Sequence, residues 1–277
     1  MNTNKSCLKD ALNGDIVSFQ KLFCEFQNQL KSYLYRLLVD RNDAEDIAHD
    51  TFVRAFDKIS QFKGESSLKT WVFQIATNLA YGELRKRKRW ESDAQDKSRE
   101  YAISSEEIKS EFRLTHETSP YGAYEIREHI DFCFTCIAKT LVIDQQVTLI
   151  LKDIYDFPIN DIAVILGKSP GVIKHLLHDS RKTMTVVFEN RCALINKNGM
   201  CHQCSELNGY FNPKLNQQRS LASLELVSAP DNTNSERLFE IRTLLVKAID
   251  PLKSDGADLQ DMIMKCTRIA IGEISIR

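Results

Sequence analysis

This sequence predicts an all-α fold: two small helical domains joined by a flexible linker, followed by a C-terminal helical hairpin. Three observations carry the expectation. Apolar residues recur at steps of three and four along the long segments, the period of a helix that buries one face. Cap and break residues separate those segments, as at Gly64 with Ser66 and Ser67, and at Gly167 with Ser169 and Pro170. Between them a polar, acidic, serine-containing stretch interrupts the pattern from Glu91 to about Glu128. The expected boundaries are 1–90, a linker 91–126, 127–190, and an extension 191–277.

Before Asn42, the residues Ile16, Phe19, Leu22, Phe23, Phe26, Leu30, Leu34, Leu37 and Leu38 keep one helical stripe apolar. These segments should pack beneath a central helix pair. The first helix of that pair places Ala44, Ile47, Ala48, Phe52, Ala55, Phe56 and Ile59 on one face, with Asn42 as N-cap and Glu45 at the capping-box position. Asp43, Asp46 and Asp50 stack on another face, with Arg54 a turn beyond. After the connector, a second helix starts near Leu68, carries Trp71, Phe73, Ile75, Ala76 and Leu79, and runs into the basic block Arg85 to Arg89.

The linker is expected to hold one short helix near 105–112. Beyond it, helices are expected over Arg127 to Ala138 and Asp144 to Tyr155, the latter capped by Asp144. Ile159, Ile162, Ala163 and Leu166 then define a short helix. Gly167 supplies a turn with positive φ, Ser169 caps the next helix, and Pro170 takes its first position. With Ile173 and Leu176 or Leu177 returning to the same core, this is the spacing of a helix-turn-helix. Its outer side carries Gly171, Lys174, His175, His178, Arg181 and Lys182. Two further amphipathic helices, Glu236 to Ile249 and Leu259 to Ile271, suggest the terminal hairpin; 208–234 is expected to be loop.

The chain has 277 residues, 43% of them hydrophobic and 27% charged, which suits a cored protein of two or three small domains. No apolar run approaches bilayer-spanning length, and the start MNTNKSCLKD lacks a signal-peptide pattern, so a cytoplasmic protein without membrane insertion is expected. The net charge of -1 does not itself point to nucleic acid. The charges are segregated, however, and the local field along a contacting face is what counts. A basic, aromatic-bearing helix suits a nucleic-acid backbone with unstacked bases, and an acidic face suits a basic protein partner.

The runs DAEDIAHDTFVRAFDKI and FKGESSLKTWVFQIATNLA, with the basic block after them, resemble region two of bacterial RNA polymerase sigma factors of the extracytoplasmic-function type. The later run DQQVTLILKDIYDFPINDIAVILGKSPGVIKHLLHDSRK resembles region four of the same family, and together the two cover about residues 15 to 189. The resemblance implies a chain that binds core RNA polymerase and promoter DNA in the bacterial cytoplasm, catalyses nothing and requires no cofactor; an anti-sigma factor is a further candidate partner. It implies that the first helix docks on the polymerase through Asp43, Glu45, Asp46, Asp50, Phe52 and Arg54. The connector Phe62, Lys63, Gly64, Glu65, Ser66 and Ser67 would hold a flipped base of the minus-ten element, with Lys69, Trp71 and Asn78 along the strand path. Arg85, Lys86, Arg87, Lys88 and Arg89 would hold the backbone. Ser169, Pro170, Gly171, Lys174, His175, His178, Arg181 and Lys182 would meet the minus-thirty-five element. Where the family usually has an arginine two residues after the lysine matching Lys174, this chain has Leu176.

Eight cysteines in a chain without a secretion signal suit free thiols or metal ligands. Cys201 with Cys204, and Cys133 with Cys136, have the two-residue gap that lets both thiolates face one ion, making the four a candidate structural zinc site. Cys133 and Cys136 equally suit a buried apolar helix face. Two other readings stay open: a stand-alone helix-turn-helix regulator with its own dimer surface, and a nuclease using Asp43, Asp46 and Asp50 to hold magnesium.

Overall fold

The computed structural model describes residues 2–87, 89–118, 126–191, 235–254 and 257–275, and all the regular structure among them is helical. The chain divides into two compact units. One comprises 1–87 with 147–177, and the other 88–146 with 178–277.

In the first unit, α1 (Asn2–Leu12), α2 (Ile16–Cys24), α3 (Gln27–Leu38), α4 (Arg41–Asp57) and α5 (Leu68–Lys86) follow in order. Each start has a local cause. Asp15 accepts from the Ser18 amide at 2.9 Å, and Ser67 accepts from the Thr70 amide at 3.0 Å. The cap of α4 is Asp40, not Asn42: its carboxylate accepts from the Asp43 amide at 2.9 Å. Val39, at φ 50°, ends α3 in the left-handed conformation and delivers Asp40 to that position.

Phe19, Phe23, Phe52 and Phe56 cluster between α2 and α4, with ring centroids 5.1–6.1 Å apart. Phe73 of α5 is fully buried and meets Phe26, Tyr33 and Phe157 at 6.3, 5.3 and 4.8 Å. The Tyr33 hydroxyl pairs with that of Thr77 at 2.8 Å, which satisfies both buried groups. Phe73→Ala should therefore cost about 3–5 kcal/mol of stability, read as a lowered urea midpoint at unchanged slope.

The remainder of this unit comes from further along. A helix over Ile143–Leu149, α9, continues as a π-helical turn over Ile150–Ile154, so the expected single helix from Asp144 changes pitch midway. Asp144 lies inside its first turn instead of capping it. Tyr155 accepts from Arg36 Nη1 at 2.8 Å, which ties the nearly fully buried arginine of α3 to the end of that turn. α10 (Ile159–Leu166) follows, then Gly167 at φ 62°, then α11 (Pro170–Arg191).

The second unit contains α6 (Ala94–Ser104), α7 (Glu106–Thr118), α8 (Ile126–Ala138), the distal part of α11, α12 (Ser235–Lys247) and α13 (Ala257–Ala270). One expectation is corrected here. The stretch read as a flexible linker with one helix near 105–112 forms α6 and α7, with Ala94, Gln95, Ser98 and Ile108 buried. Its buried stripe is made of small and polar side chains, which carries little hydrophobic signal until α13 packs against it. The two terminal helices pack within this unit, α12 on α8 and α13 on α6, α7 and α8. Phe239 of α12 meets Phe134 of α8 at 6.3 Å, and the Arg242 guanidinium lies 3.8 Å from the Phe188 ring centroid of α11. The expected loop 208–234 lies outside the described residues.

Candidate nucleic-acid and polymerase interface

α4 presents the acidic face. Asp46, Asp50 and Arg54 are exposed, and neither aspartate forms an ion pair among the described residues. Glu45, also exposed, pairs with Lys31 at 3.0 Å. Asp43 stands apart from the other aspartates: it holds the guanidinium of Arg87, which also donates to the Leu38 carbonyl. Phe52 is half-buried, with its ring inside the α2–α4 aromatic cluster. The candidate docking surface thus contracts to Asp46, Asp50 and Arg54, with Glu45 at its edge.

The connector leads from a 3-10 turn, Ile59–Gln61, to Ser67. Gly64 has φ 73°, the left-handed region that favours glycine, and Lys63, Gly64, Glu65 and Ser67 are exposed. Phe62 and Ser66 are half-buried. The Trp71 ring is half-buried and sits 5.4 Å from the Phe62 ring at 50°. Two aromatic faces therefore stand beside a polar loop, the combination that can stack a base taken out of a duplex.

The basic block does not act as one surface. Arg85 is exposed above Tyr81, its guanidinium 5.8 Å from the ring centroid; Lys86 is exposed and pairs with Glu83 at 2.7 Å; Arg89 is exposed. Arg87 is turned inward by Asp43, and Lys88 lies outside the described residues. Asn78 is exposed on α5.

Sequence reasoning missed what lies on the first two turns of α5. The Lys69 ammonium is 4.8 Å from the Phe157 ring centroid and 5.8 Å from that of Phe73. This burial holds the amine below its ordinary value, while nearby Asp161 acts in the opposite direction. Gln74 Nε2 donates to the Val164 carbonyl of α10 at 2.8 Å. α10 therefore packs on the same helix that carries the candidate strand path. The only sequence signals were unassigned apolar residues at Phe157 and Val164.

α11 begins with Ser169, whose hydroxyl accepts from the Val172 amide at 3.4 Å. Ile173 and Leu177 are buried, while Ser169, Pro170, Gly171, Lys174, His175, His178, Arg181 and Lys182 are all exposed. The first turn of this helix is the part that reaches base edges when such a helix enters a major groove.

Among the described residues no three His, Cys, Asp or Glu side chains converge as a metal site. Cys133 and Cys136 are buried: the former accepts from Gln95 Nε2 at 3.8 Å, and the latter lies 3.8 Å from the Met264 sulfur. Both are packed as small side chains at the α8 face. Cys201 and Cys204 lie outside the described residues.

Parts of this sequence are similar to known proteins. The family model "Sigma-70 region 2" matches residues 22–90, which begins within α2 and includes α3 to α5 and the connector. The chain is 25% identical over 171 residues to the RNA polymerase sigma-H factor of Pseudomonas aeruginosa, covering 62% of this chain and 86% of that one. It is 25% identical over 183 residues to the ECF RNA polymerase sigma factor SigW of Bacillus subtilis, covering 65% and 94%. A shorter match, 35% identical over 78 residues, links it to the ECF RNA polymerase sigma-E factor of Haemophilus influenzae, with 28% and 41% covered. Residues 22–90 are thus similar to sigma-70 region 2, and 62–65% of the chain is similar to RNA polymerase sigma factors, among them ones of the extracytoplasmic-function type.

Proposed function

We propose that the chain binds core RNA polymerase through the exposed acidic face of α4, opens the minus-ten element with the connector and α5, and reads the minus-thirty-five element with α11. The observation that carries the reading is the Phe62–Trp71 ring pair beside the exposed Lys63–Glu65 turn. An opened duplex recloses unless its bases gain contacts elsewhere, and base–aromatic stacking is worth about 1–3 kcal/mol per base. The reading contains no catalytic step. Two DNA contacts on one tethered chain act multivalently once the polymerase fixes their separation, so the modest net charge is no obstacle.

The face of α5 around Lys69 and Gln74 is shared with α10. The strand path is fully open only after α10 has left it.

Co-purification with core polymerase, followed by run-off transcription with and without the chain, tests the function. Absence of either core binding or a start site would end it. Trp71→Ala should lower run-off from duplex promoter by roughly 10-fold, the scale of one lost stacking contact. On a promoter with the minus-ten segment already mismatched open, the same variant should lose far less. A stand-alone regulator would instead footprint DNA without polymerase.

A further inference from the structure

The second unit gives the C-terminal helix a task that no part of the promoter-reading scheme uses. The chain leaves the first unit at Arg87 and returns at Val147, so the segment between them is the tether from α5 to the helix-turn-helix. In the structure that tether is not free, because α13 packs on α6, α7 and α8 in turn.

The contacts are specific and mostly buried. The Trp90 ring is 2% exposed, and its indole N–H donates to Glu273 Oε2 at 2.9 Å. The other oxygen of Glu273 accepts from Arg268 Nε at 2.9 Å, with the two side chains 4% and 7% exposed. Thr267 Oγ1 lies 2.9 Å from Ser98 Oγ, and Gln260 Nε2 donates to Asp131 Oδ2 at 2.9 Å. A buried carboxylate shared between an arginine and an indole is stable only while all of its partners stay in place. Such a contact holds or releases as a unit.

Length supplies the function. α6 and α7 contain 11 and 13 residues. As helices they extend about 16 and 20 Å, at roughly 1.5 Å per residue. As extended chain the same residues would reach about 36 and 43 Å, at roughly 3.3 Å per residue. Promoter elements about 25 base pairs apart are separated by roughly 85 Å along the DNA axis. A tether folded onto α13 keeps the two readers close, and a released one lets them part.

We propose that α13 is a cis-acting strap: it holds the segment between the two DNA-reading elements folded and short, and releases α6 when both elements engage one promoter. The proposal rests on the promoter-reading function above.

Ser98→Cys combined with Thr267→Cys tests it, since the two hydroxyls already touch. With polymerase saturated by the oxidised variant, run-off from a promoter carrying both elements should fall at least about 10-fold, and reducing agent should restore it. Core affinity should stay within about 2-fold, since the acidic face of α4 is untouched. The unmodified chain and the single Ser98→Cys variant, oxidised in parallel, account for the native thiols. Equal transcription by locked and reduced protein overturns the strap. If the cross-link does not form, hydrogen exchange on the unmodified chain decides. The Ala94–Ser104 amides should be protected in the free protein and exchange faster in the polymerase–promoter complex; unchanged protection overturns the proposal. Should the reduced variant and the unmodified chain both fail to direct polymerase, it is the sigma-factor reading itself that fails.

Discussion

Replacing Asp46 and Asp50 together by lysine is expected to weaken binding to core RNA polymerase by about 100-fold or more, with thermal unfolding kept within about 2 °C. Both carboxylates are exposed and form no ion pair among the described residues, so the fold has little invested in them. Close charge pairs across interfaces couple by about 1.5–7 kcal/mol, and reversal adds repulsion where attraction stood. Titrating labelled chain with core enzyme at several salt concentrations reads the effect, which should shrink as salt rises. Asp43 makes the contrast. Asp43→Asn loosens the clasp on Arg87 and should cost about 1–2 kcal/mol of stability with a smaller change in core affinity. Wild-type affinity in the double lysine variant would remove the docking role from this face.

How far the sequence disclosed these features depended on whether the relevant contact was local. α4, α5, α10, α11, α12 and α13 were all legible, since each has a stripe of large apolar residues at helical spacing and an identifiable start or stop. Cap identity was less secure. Asn42 and Asp40 are both good caps, and the left-handed Val39 that selects Asp40 has no distinctive residue to announce it. The exposed side of α11 followed from periodicity alone, because Ile173 and Leu177 fix the helix rotation.

The failures share one cause. Arg87 read as part of a basic surface, but the Leu38 carbonyl and Asp43 that hold it come from the α3 end and α4. α6 and α7 read as tether because Ala94, Gln95 and Ser98 become a buried face only against α13, far along the chain. Lys69 read as exposed to the strand path, though Phe157 of a distant segment lies over it. In each case the residue's own neighbourhood in sequence permitted either outcome, and a partner far away in sequence decided between them. Recognition motifs were visible in the chain, whereas the contacts that cover them were not.

That cover yields the other large effect expected. Phe157→Ala should raise the affinity of the free chain for a single-stranded minus-ten oligonucleotide by about 10- to 100-fold. Phe157 is 4% exposed and seats the start of α10 on α5 through the Phe73 ring and the Lys69 ammonium. Removing a buried phenylalanine costs about 3–5 kcal/mol, and the part of that cost borne by the α5–α10 contact shifts its equilibrium toward the open form. A shift of about 1.4 kcal/mol is already tenfold in competent population, so losing half of the ring's contribution suffices. The Lys69 ammonium, over which the Phe157 ring lies, is uncovered once that ring is gone and becomes accessible to a phosphate. Fluorescence anisotropy with a labelled strand measures the gain, and Lys69→Ala placed on the Phe157→Ala background should remove most of it. That second variant separates an uncovered binding face from a chain that has merely loosened, because general loosening would not depend on one amine. An unchanged affinity in Phe157→Ala would mean that α10 does not limit access to the strand path, and that the polymerase need not displace it.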